Sequence, residues 1–265
     1  MMDDKNLLDI FTTLRDSDSN RTRFDESWTQ GRSAYGGLSA ALAVVAMRKL
    51  LTAPQPLRSL MVSFIAPIAA GEVEVLADIQ RQGKNVSQIK ADVLADDGAV
   101  ALQAMAVFGN PRKALQLPAA RAELPPIAGL SFDAKPQRLL PPFLQYFDGY
   151  WQDGAIPFSG RTERKLALWL RHKSPLVGFP DERIVAMADM PPPVVLSHFT
   201  TPVPASSVSW SVEFVVPPEQ VESEWLYLEF VAEAAADGYT QQSGALYDES
   251  GRLCVLSRQC MVYFG

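Results

Sequence analysis

The chain has 265 residues, a length that suits one large domain or two domains of about 130 residues each. Hydrophobic residues make up 48% of the chain and charged residues 20%, which is typical of a globular protein and excludes a disordered one. The net charge of −6 at pH 7 does not favour a nucleic-acid-binding surface or a basic membrane patch.

The N-terminal residues lack the basic and then apolar segments of a signal peptide. The longest apolar stretch, Leu38 to Met47, is too short to span a bilayer. Cys254 and Cys260 are expected to be buried free thiols, because residues six apart on one strand are too distant to form a disulfide. We therefore predict a cytoplasmic protein without a membrane segment.

The first half contains one apolar helix followed by an antiparallel meander. After a short amphipathic segment, Leu7 to Leu14, the Ala-rich stretch Leu38 to Leu51 is apolar on nearly all sides, which predicts a buried helix. The predicted strands are Arg58 to Pro67, Gly71 to Arg81, Asn85 to Leu94 and Val100 to Phe108, with a hairpin turn at Asp97 and Gly98. A helix lying across such a sheet is an α+β unit.

Residues 110–142 interrupt this pattern with many prolines and little periodicity. The prolines are Pro111, Pro118, Pro125, Pro126, Pro136, Pro141 and Pro142. We interpret the segment as a linker ordered against the surface, since Leu115, Leu117, Leu124 and Phe132 are apolar. The predicted division is residues 1–110, a linker at 111–142, and residues 143–265.

The second half repeats the first. Phe179 to Met190 is a predicted helix that begins with a proline and ends before three more. The predicted strands are Phe147 to Trp151, Arg164 to Arg171, Ser207 to Pro217, Glu224 to Ala232, Gly238 to Tyr247 and Arg252 to Phe264. Val62 to Pro67 matches Val212 to Pro217 at an offset of about 150 residues. We expect a pseudo-twofold pair, the alternative being two unrelated α+β units.

The repeat helps to distinguish residues that serve packing from residues that could serve a reaction. Where one copy has a polar residue and the other an apolar one, packing alone explains the polar residue poorly. The contrasts are Asp189 against a position near Ala43, Ser207 against one near Leu57, and Gln259 against Ala106.

These three residues could activate a water molecule. A carboxylate such as Asp189 on an apolar helix needs hydrogen-bond donors, which Ser207 and Gln259 can supply. Three such groups can hold one water, and a carboxylate that accepts its proton is a general base. Alternatively, Asp189 turns into solvent at its helix end, and Ser207 and Gln259 are ordinary strand residues. Ser206, Ser207 and Ser209 all remain candidates for the hydroxyl position.

Gly36 and Gly37 precede the first buried helix and could expose backbone N–H groups to an oxyanion. The alternative is a tight turn where helix and sheet pack closely. No metal site is predicted, since His172, His198 and the two cysteines lack the spacing of ligands.

Four segments resemble the type II acyl-CoA thioesterases of the double-hotdog superfamily. They are Gly31 to Leu38, Arg58 to Pro67, Arg81 to Ser87 and Ser257 to Val262. The resemblance covers nearly the whole chain apart from the proline-rich linker. It implies an α+β double hotdog, two tandem units in each of which an antiparallel sheet wraps around a central helix.

The resemblance also implies hydrolysis of acyl-CoA to free fatty acid and CoA, without a metal, a cofactor or a covalent intermediate. In that family an aspartate on the second helix, a Thr or Ser on the next strand and a glutamine on the last strand position the water. The matching residues in this sequence are Asp189, Ser207 and Gln259. The family further implies a homodimer or a higher oligomer. The serine in place of the usual threonine, and the prolines after Asp189, depart from the family pattern.

Other functions remain possible from the sequence. Hotdog dehydratases and hydratases use a catalytic histidine near a helix start or a glycine-containing loop, whereas His172 follows a strand and His198 follows the proline run. A serine hydrolase is disfavoured by the absence of a Gly-x-Ser-x-Gly motif. A non-catalytic protein that binds acyl-CoA or lipid stays open, because a fold does not determine its function.

Overall fold

The structure, a computed structural model, describes residues 6–134, 140–154 and 156–264. Pro136 of the predicted linker lies outside the described residues. The α-helices in these ranges are α1 (Leu7–Asp16), α2 (Gly36–Lys49) and α3 (Pro180–Ala188). Within the same ranges, no helix is long and apolar enough to cross a membrane.

The strands confirm both predicted meanders. They are β1 (Arg21–Phe24), β2 (Thr29–Gln30), β3 (Ser33–Ala34), β4 (Leu57–Phe64), β5 (Gly71–Gln82), β6 (Val86–Leu94), β7 (Val100–Gly109), β8 (Leu130–Ser131), β9 (Phe147–Gly154), β10 (Lys165–His172), β11 (Ala205–Phe214), β12 (Leu226–Ala236), β13 (Tyr239–Asp248) and β14 (Leu253–Tyr263). Strand β1 was not predicted, although its residues alternate between exposed and buried as in an edge strand.

In the described part of the chain, one 12-stranded sheet contains both halves, in the order β1-β5-β6-β7-β4-β11-β14-β13-β12-β10-β9-β8. Strands β4 and β11 pair at its centre, and β7, β6, β5 and β1 follow on one side as β14, β13, β12 and β10 follow on the other. Met61 pairs directly with Ser211. These two residues are 150 positions apart, the predicted offset between the halves, so they are equivalent and face each other across the pseudo-twofold axis. This arrangement confirms the double hotdog.

The helices α2 and α3 pack against each other in the core, with their directions opposed. Residues Gly37 to Met47 of α2 are all buried, which explains why this helix is apolar on every side. At one end of the pair, Gly37 lies beside the Ala186 carbonyl oxygen near the end of α3. At the other end, Arg48 contacts Asp181 in the first turn of α3.

The linker follows the outer surface of the second half. Ala122 N–H donates to the Gly251 carbonyl at 2.9 Å, and Leu124 packs beside Trp169. Phe132 is buried against Trp151. The expectation for Leu115 and Leu117 was wrong: their exposed fractions are 90% and 84%, so these two side chains do not pack against the rest of the molecule.

Both cysteines lie on β14 and are free thiols. Cys254 is buried, as expected. Cys260 is only half-buried, because it faces the outer side of the sheet, where it lies near Gln241.

Candidate active site

The side chain of Gln259 joins Asp189 and Ser207 in one hydrogen-bonded group. The Nε2 atom of Gln259 donates one hydrogen bond to Asp189 Oδ1 at 2.8 Å and another to Ser207 Oγ at 2.8 Å. The three residues come from the C-terminal end of α3, the start of β11 and the middle of β14. The structure thus places in one hydrogen-bonded group the residues that the repeat comparison had selected.

Strand register supports the assignment of Ala106 as the counterpart of Gln259. Trp210 of β11 pairs with Gln259, and its equivalent Leu60 of β4 pairs with Ala106. The counterpart expected for Asp189, near Ala43, lies in the fully buried part of α2. In the first half, therefore, apolar side chains fill the positions that are polar in the second.

A β-bulge decides which serine faces the site. The register of β11 against β14 shifts between Ser207 and Ser209, so that Val208 has no partner there. The bulge turns Ser207 toward Gln259, whereas Ser206 and Ser209 are exposed. The hydroxyl in the group therefore belongs to Ser207.

The surroundings of Asp189 favour its neutral form. Burial raises the pKa of Asp189 to about 7, while the hydrogen bonds from Gln259 and from the backbone N–H of Gly37 oppose that rise. The side chain does not turn into solvent at the helix end. A carboxyl group with a pKa near neutrality can both accept and release a proton at physiological pH.

Gly36 and Gly37 allow the first turn of α2 to approach this carboxyl group. A Cβ on Gly36 would lie 2.5 Å from Asp189 Oδ2, and one on Gly37 would lie 2.7 Å from the Ala186 carbonyl oxygen. The positive end of the α2 dipole therefore faces the carboxylate. Because Gly37 N–H donates to Asp189, it already has an acceptor in this structure.

Sequence reasoning missed one buried polar residue of the site, Gln242. Its Nε2 donates to Gln259 Oε1 at 3.3 Å, and its Oε1 accepts from the Val194 backbone N–H at 3.2 Å. Gln242 pairs with Gln259 just as Ile89 pairs with Ala106 in the first half. The same polar-against-apolar contrast would have identified Gln242, had the comparison been extended to β13.

The histidines make their hydrogen bonds elsewhere. His172 Nε2 lies 3.0 Å from the Arg183 carbonyl oxygen, and burial lowers the pKa of His172 to about 4, which keeps the ring neutral. His198 Nε2 lies 3.0 Å from the Glu163 carbonyl oxygen. In the part of the chain that the structure describes, no group of three or more His, Cys, Asp or Glu residues could hold a metal ion.

Comparison with protein families identifies the two halves. The N-terminal domain of acyl-CoA thioesterases matches residues 24–109, and the C-terminal domain of the same enzymes matches residues 118–263. The chain belongs to the acyl-CoA thioesterase family. Membership in this family makes it a hydrolase of thioesters. A comparison with curated proteins gave no match.

Solved structures share the fold of this acyl-CoA thioesterase family member at low identity. A hot dog protein of unknown function from Alicyclobacillus acidocaldarius is 22% identical, with a TM-score of 0.81 and 92% of each chain covered. The tesB protein of Mycobacterium avium subspecies paratuberculosis is 17% identical, with a TM-score of 0.74, 98% of this chain covered and 100% of that one. An acyl-CoA thioesterase II from Mycobacterium marinum is 18% identical, with a TM-score of 0.67, 88% of this chain covered and 90% of that one.

Proposed function

We propose that the protein hydrolyses acyl-CoA to a free fatty acid and CoA, using a water molecule that Asp189 activates. The observation that carries the proposal is the Gln259 amide, which ties a carboxyl group of near-neutral pKa to the Ser207 hydroxyl. No step requires a metal, a cofactor or a covalent acyl-enzyme.

The donor pattern supports a place for the water between Asp189 and Ser207. Both hydrogens of Gln259 Nε2 are used, one by each neighbour. Ser207 Oγ accepts one of them, so its own hydroxyl hydrogen remains to donate to the water oxygen. That water donates in turn to the Asp189 carboxylate, which orients an oxygen lone pair toward the substrate.

The reaction then follows general-base catalysis. Asp189 takes a proton from the water as the water oxygen bonds to the thioester carbonyl carbon. Amides of the first turn of α2 without intrahelical acceptors are placed to stabilise the resulting oxyanion, and the helix dipole adds to this effect. The intermediate collapses when the carbon–sulfur bond breaks, and Asp189 returns its proton to the departing CoA thiolate.

Several further properties belong to the proposal. We propose acyl-CoA as the substrate, a role in fatty acid metabolism, a cytoplasmic location and assembly as a homodimer or a higher homo-oligomer. The division into hotdog units at residues 1–110 and 143–265, joined by a linker at 111–142, is part of the same proposal.

Replacement of Asp189 tests the mechanism directly. Asp189→Asn keeps the shape of the side chain but removes the base, so the rate of CoA release is expected to fall about 10²–10⁴-fold. Free thiol is measured across acyl chain lengths, with Asp96→Asn in an exposed turn as the control. Equal rates in Asp189→Asn and the wild type would exclude the mechanism. Binding of acyl-CoA without thiol release by the wild type would indicate a non-catalytic binding protein.

The pH dependence of the rate supplies a second test. Only ionised Asp189 can act as the base, so kcat/KM is expected to decline as the pH falls through about 7 and to level off above it. The profile is recorded with a substrate whose binding does not vary over that range. A rate that stays constant down to about pH 5 would contradict the role of Asp189.

A further inference from the structure

We infer that Gln242 is a positioning residue, which holds the Gln259 amide with its Nε2 toward Asp189 and Ser207. The inference rests on the proposed function, because it assigns Gln242 a part in preparing the proposed base. Gln242 lies on β13 with its side chain 1% exposed, and it contacts Gln259, which is 4% exposed.

A single backbone group determines the orientation of both glutamine amides. The Val194 N–H can only donate, so the atom of Gln242 that faces it must be the oxygen, Oε1. Gln242 Nε2 then faces Gln259 and donates to its Oε1. With its oxygen engaged in this way, Gln259 must present Nε2 to the site. The chain of hydrogen bonds therefore runs in one direction, from Val194 to Asp189.

This direction matters for the protonation of Asp189. An N–H donor toward a carboxyl group favours its ionised form. If the Gln259 amide rotated by half a turn, its Oε1 would face Asp189 and accept a hydrogen bond from the protonated acid. That hydrogen bond would stabilise the protonated form, which cannot act as a base. Gln242 blocks that rotation, because the turned amide would place two N–H groups against each other.

Packing does not require a glutamine at this position. In the first half the equivalent of the Gln242 and Gln259 pair is Ile89 with Ala106, and both are fully buried. A buried amide pair is destabilising unless its hydrogen bonds are made. Two buried glutamines that replace an apolar pair therefore indicate a role beyond filling the core.

Gln242→Met tests the inference, with Gln241→Met as the matched control. The two residues are adjacent on β13, but Gln241 faces the outer side of the sheet and is half-buried. Gln242→Met is expected to move the acid limb of the pH–rate profile upward by about one pH unit. The rate should fall about tenfold below the midpoint and much less on the alkaline plateau. Gln241→Met should leave the profile unchanged.

A double variant separates positioning from packing. If Gln242 acts through Gln259, adding Gln242→Met to Gln259→Met changes the rate and the profile little further. Independent, multiplicative losses would show that Gln242 does not act through Gln259. A uniform loss of rate at every pH in Gln242→Met, without a shift of the midpoint, would likewise overturn the inference.

Gln242→Glu provides the test if the methionine variant does not fold. The introduced carboxyl group keeps the volume and accepts from Val194 N–H, but once ionised it has no hydrogen for Gln259 Oε1. The Gln259 amide should then turn, and the rate should fall with rising pH where the wild-type rate reaches its plateau. A wild-type profile in a folded Gln242→Glu protein would overturn the inference.

A measurement without substrate distinguishes this inference from the proposed function. The Asp189 carboxyl group is titrated by nuclear magnetic resonance in protein with ¹³C-labelled aspartate, and Asp189→Asn identifies its signal. Absence of hydrolysis by the wild type would defeat the proposed function alone. An Asp189 pKa that is the same in the wild type and in Gln242→Met would defeat the positioning role alone.

Discussion

The two ends of the α2–α3 helix pair each hold a carboxyl group, half-buried at one end and fully buried at the other, and they hold it with different partners. At one end Asp189 receives neutral donors, the Gln259 amide and the Gly37 N–H. At the other end Asp181 lies against the Arg48 guanidinium, with Glu182 beside it. The pseudo-twofold axis relates these ends, so the same backbone framework supports both arrangements.

The difference shows what a base requires of its neighbours. Burial raises the pKa of Asp181, and the charge and hydrogen bond of the Arg48 guanidinium oppose that rise, so the cation favours the ionised carboxylate. Neutral donors stabilise the ionised form less, so the pKa of Asp189 stays near neutrality and its proton can be exchanged during turnover. The end with Arg48 is suited to join the helices, and the end with Asp189 is suited to chemistry.

The largest expected effect on stability comes from removal of the cation. Arg48→Met leaves Asp181 and Glu182 buried without a positive partner, which should lower the free energy of unfolding by about 3–5 kcal/mol. Denaturant unfolding measures the loss. Arg21→Met, which removes two surface ion pairs, with Glu72 and with Glu74, should lower it far less, because solvent screens exposed charges.

Activity provides the second half of that experiment. Thiol release per folded molecule should be the same in Arg48→Met and the wild type, because Arg48 lies at the opposite end of the helix pair from Asp189. A specific loss of activity in the folded variant would break the separation of roles between the two ends.

A smaller effect is expected from Asp189→Asn on stability. The folded-state pKa of about 7 lies above the ordinary value of 3.8 for an aspartate, so ionisation of Asp189 destabilises the folded state increasingly as the pH rises between these values. Asp189→Asn should therefore stabilise the protein by about 1–3 kcal/mol at pH 8 and hardly at all near pH 4. Thermal unfolding across this range measures the gain, which Asp96→Asn should not show. A variant less stable than the wild type at high pH would contradict the assignment of a destabilised base.

The smallest effect is expected at Glu182. Burial and the neighbouring Asp181 charge raise the pKa of Glu182 to about 8, so the group is largely protonated at neutral pH. Glu182→Gln should change the free energy of unfolding by less than about 1 kcal/mol near pH 6 and should stabilise the protein relative to the wild type above about pH 8. Strong destabilisation of Glu182→Gln at neutral pH would show that Glu182 is ionised and shares Arg48 with Asp181.

The fold and three residues of the candidate site could be predicted from the sequence, because the internal repeat reveals the two equivalent units and the polar residues that differ between them. Alternation of polar and apolar residues determines the strands, and a polar residue opposite an apolar counterpart marks Gln259 without knowledge of distances. Gln242 was missed because the polar-against-apolar contrast was not sought in β13, and its contact with Gln259 depends on a strand pairing that periodicity alone does not determine.

Other features required the three-dimensional arrangement. From the sequence alone, Arg48 is a basic residue near the C-terminal end of a predicted helix, where it complements the helix dipole. Its contact with Asp181 follows from the opposed directions of α2 and α3, which no local pattern encodes. The choice of Ser207 among its neighbours depended on the bulge at Val208, which shifts the alternation by one residue.

The bulge at Val208 has an equivalent in the first half. The register of β4 against β7 shifts between Leu57 and Ser59, so that Arg58 occupies the place that Val208 has in β11. The main-chain irregularity is therefore common to both copies, although only one of them presents a hydroxyl there. An ancestor that carried the bulge before duplication would have left its descendants free to diverge by side-chain substitution alone, with no remodelling of the backbone.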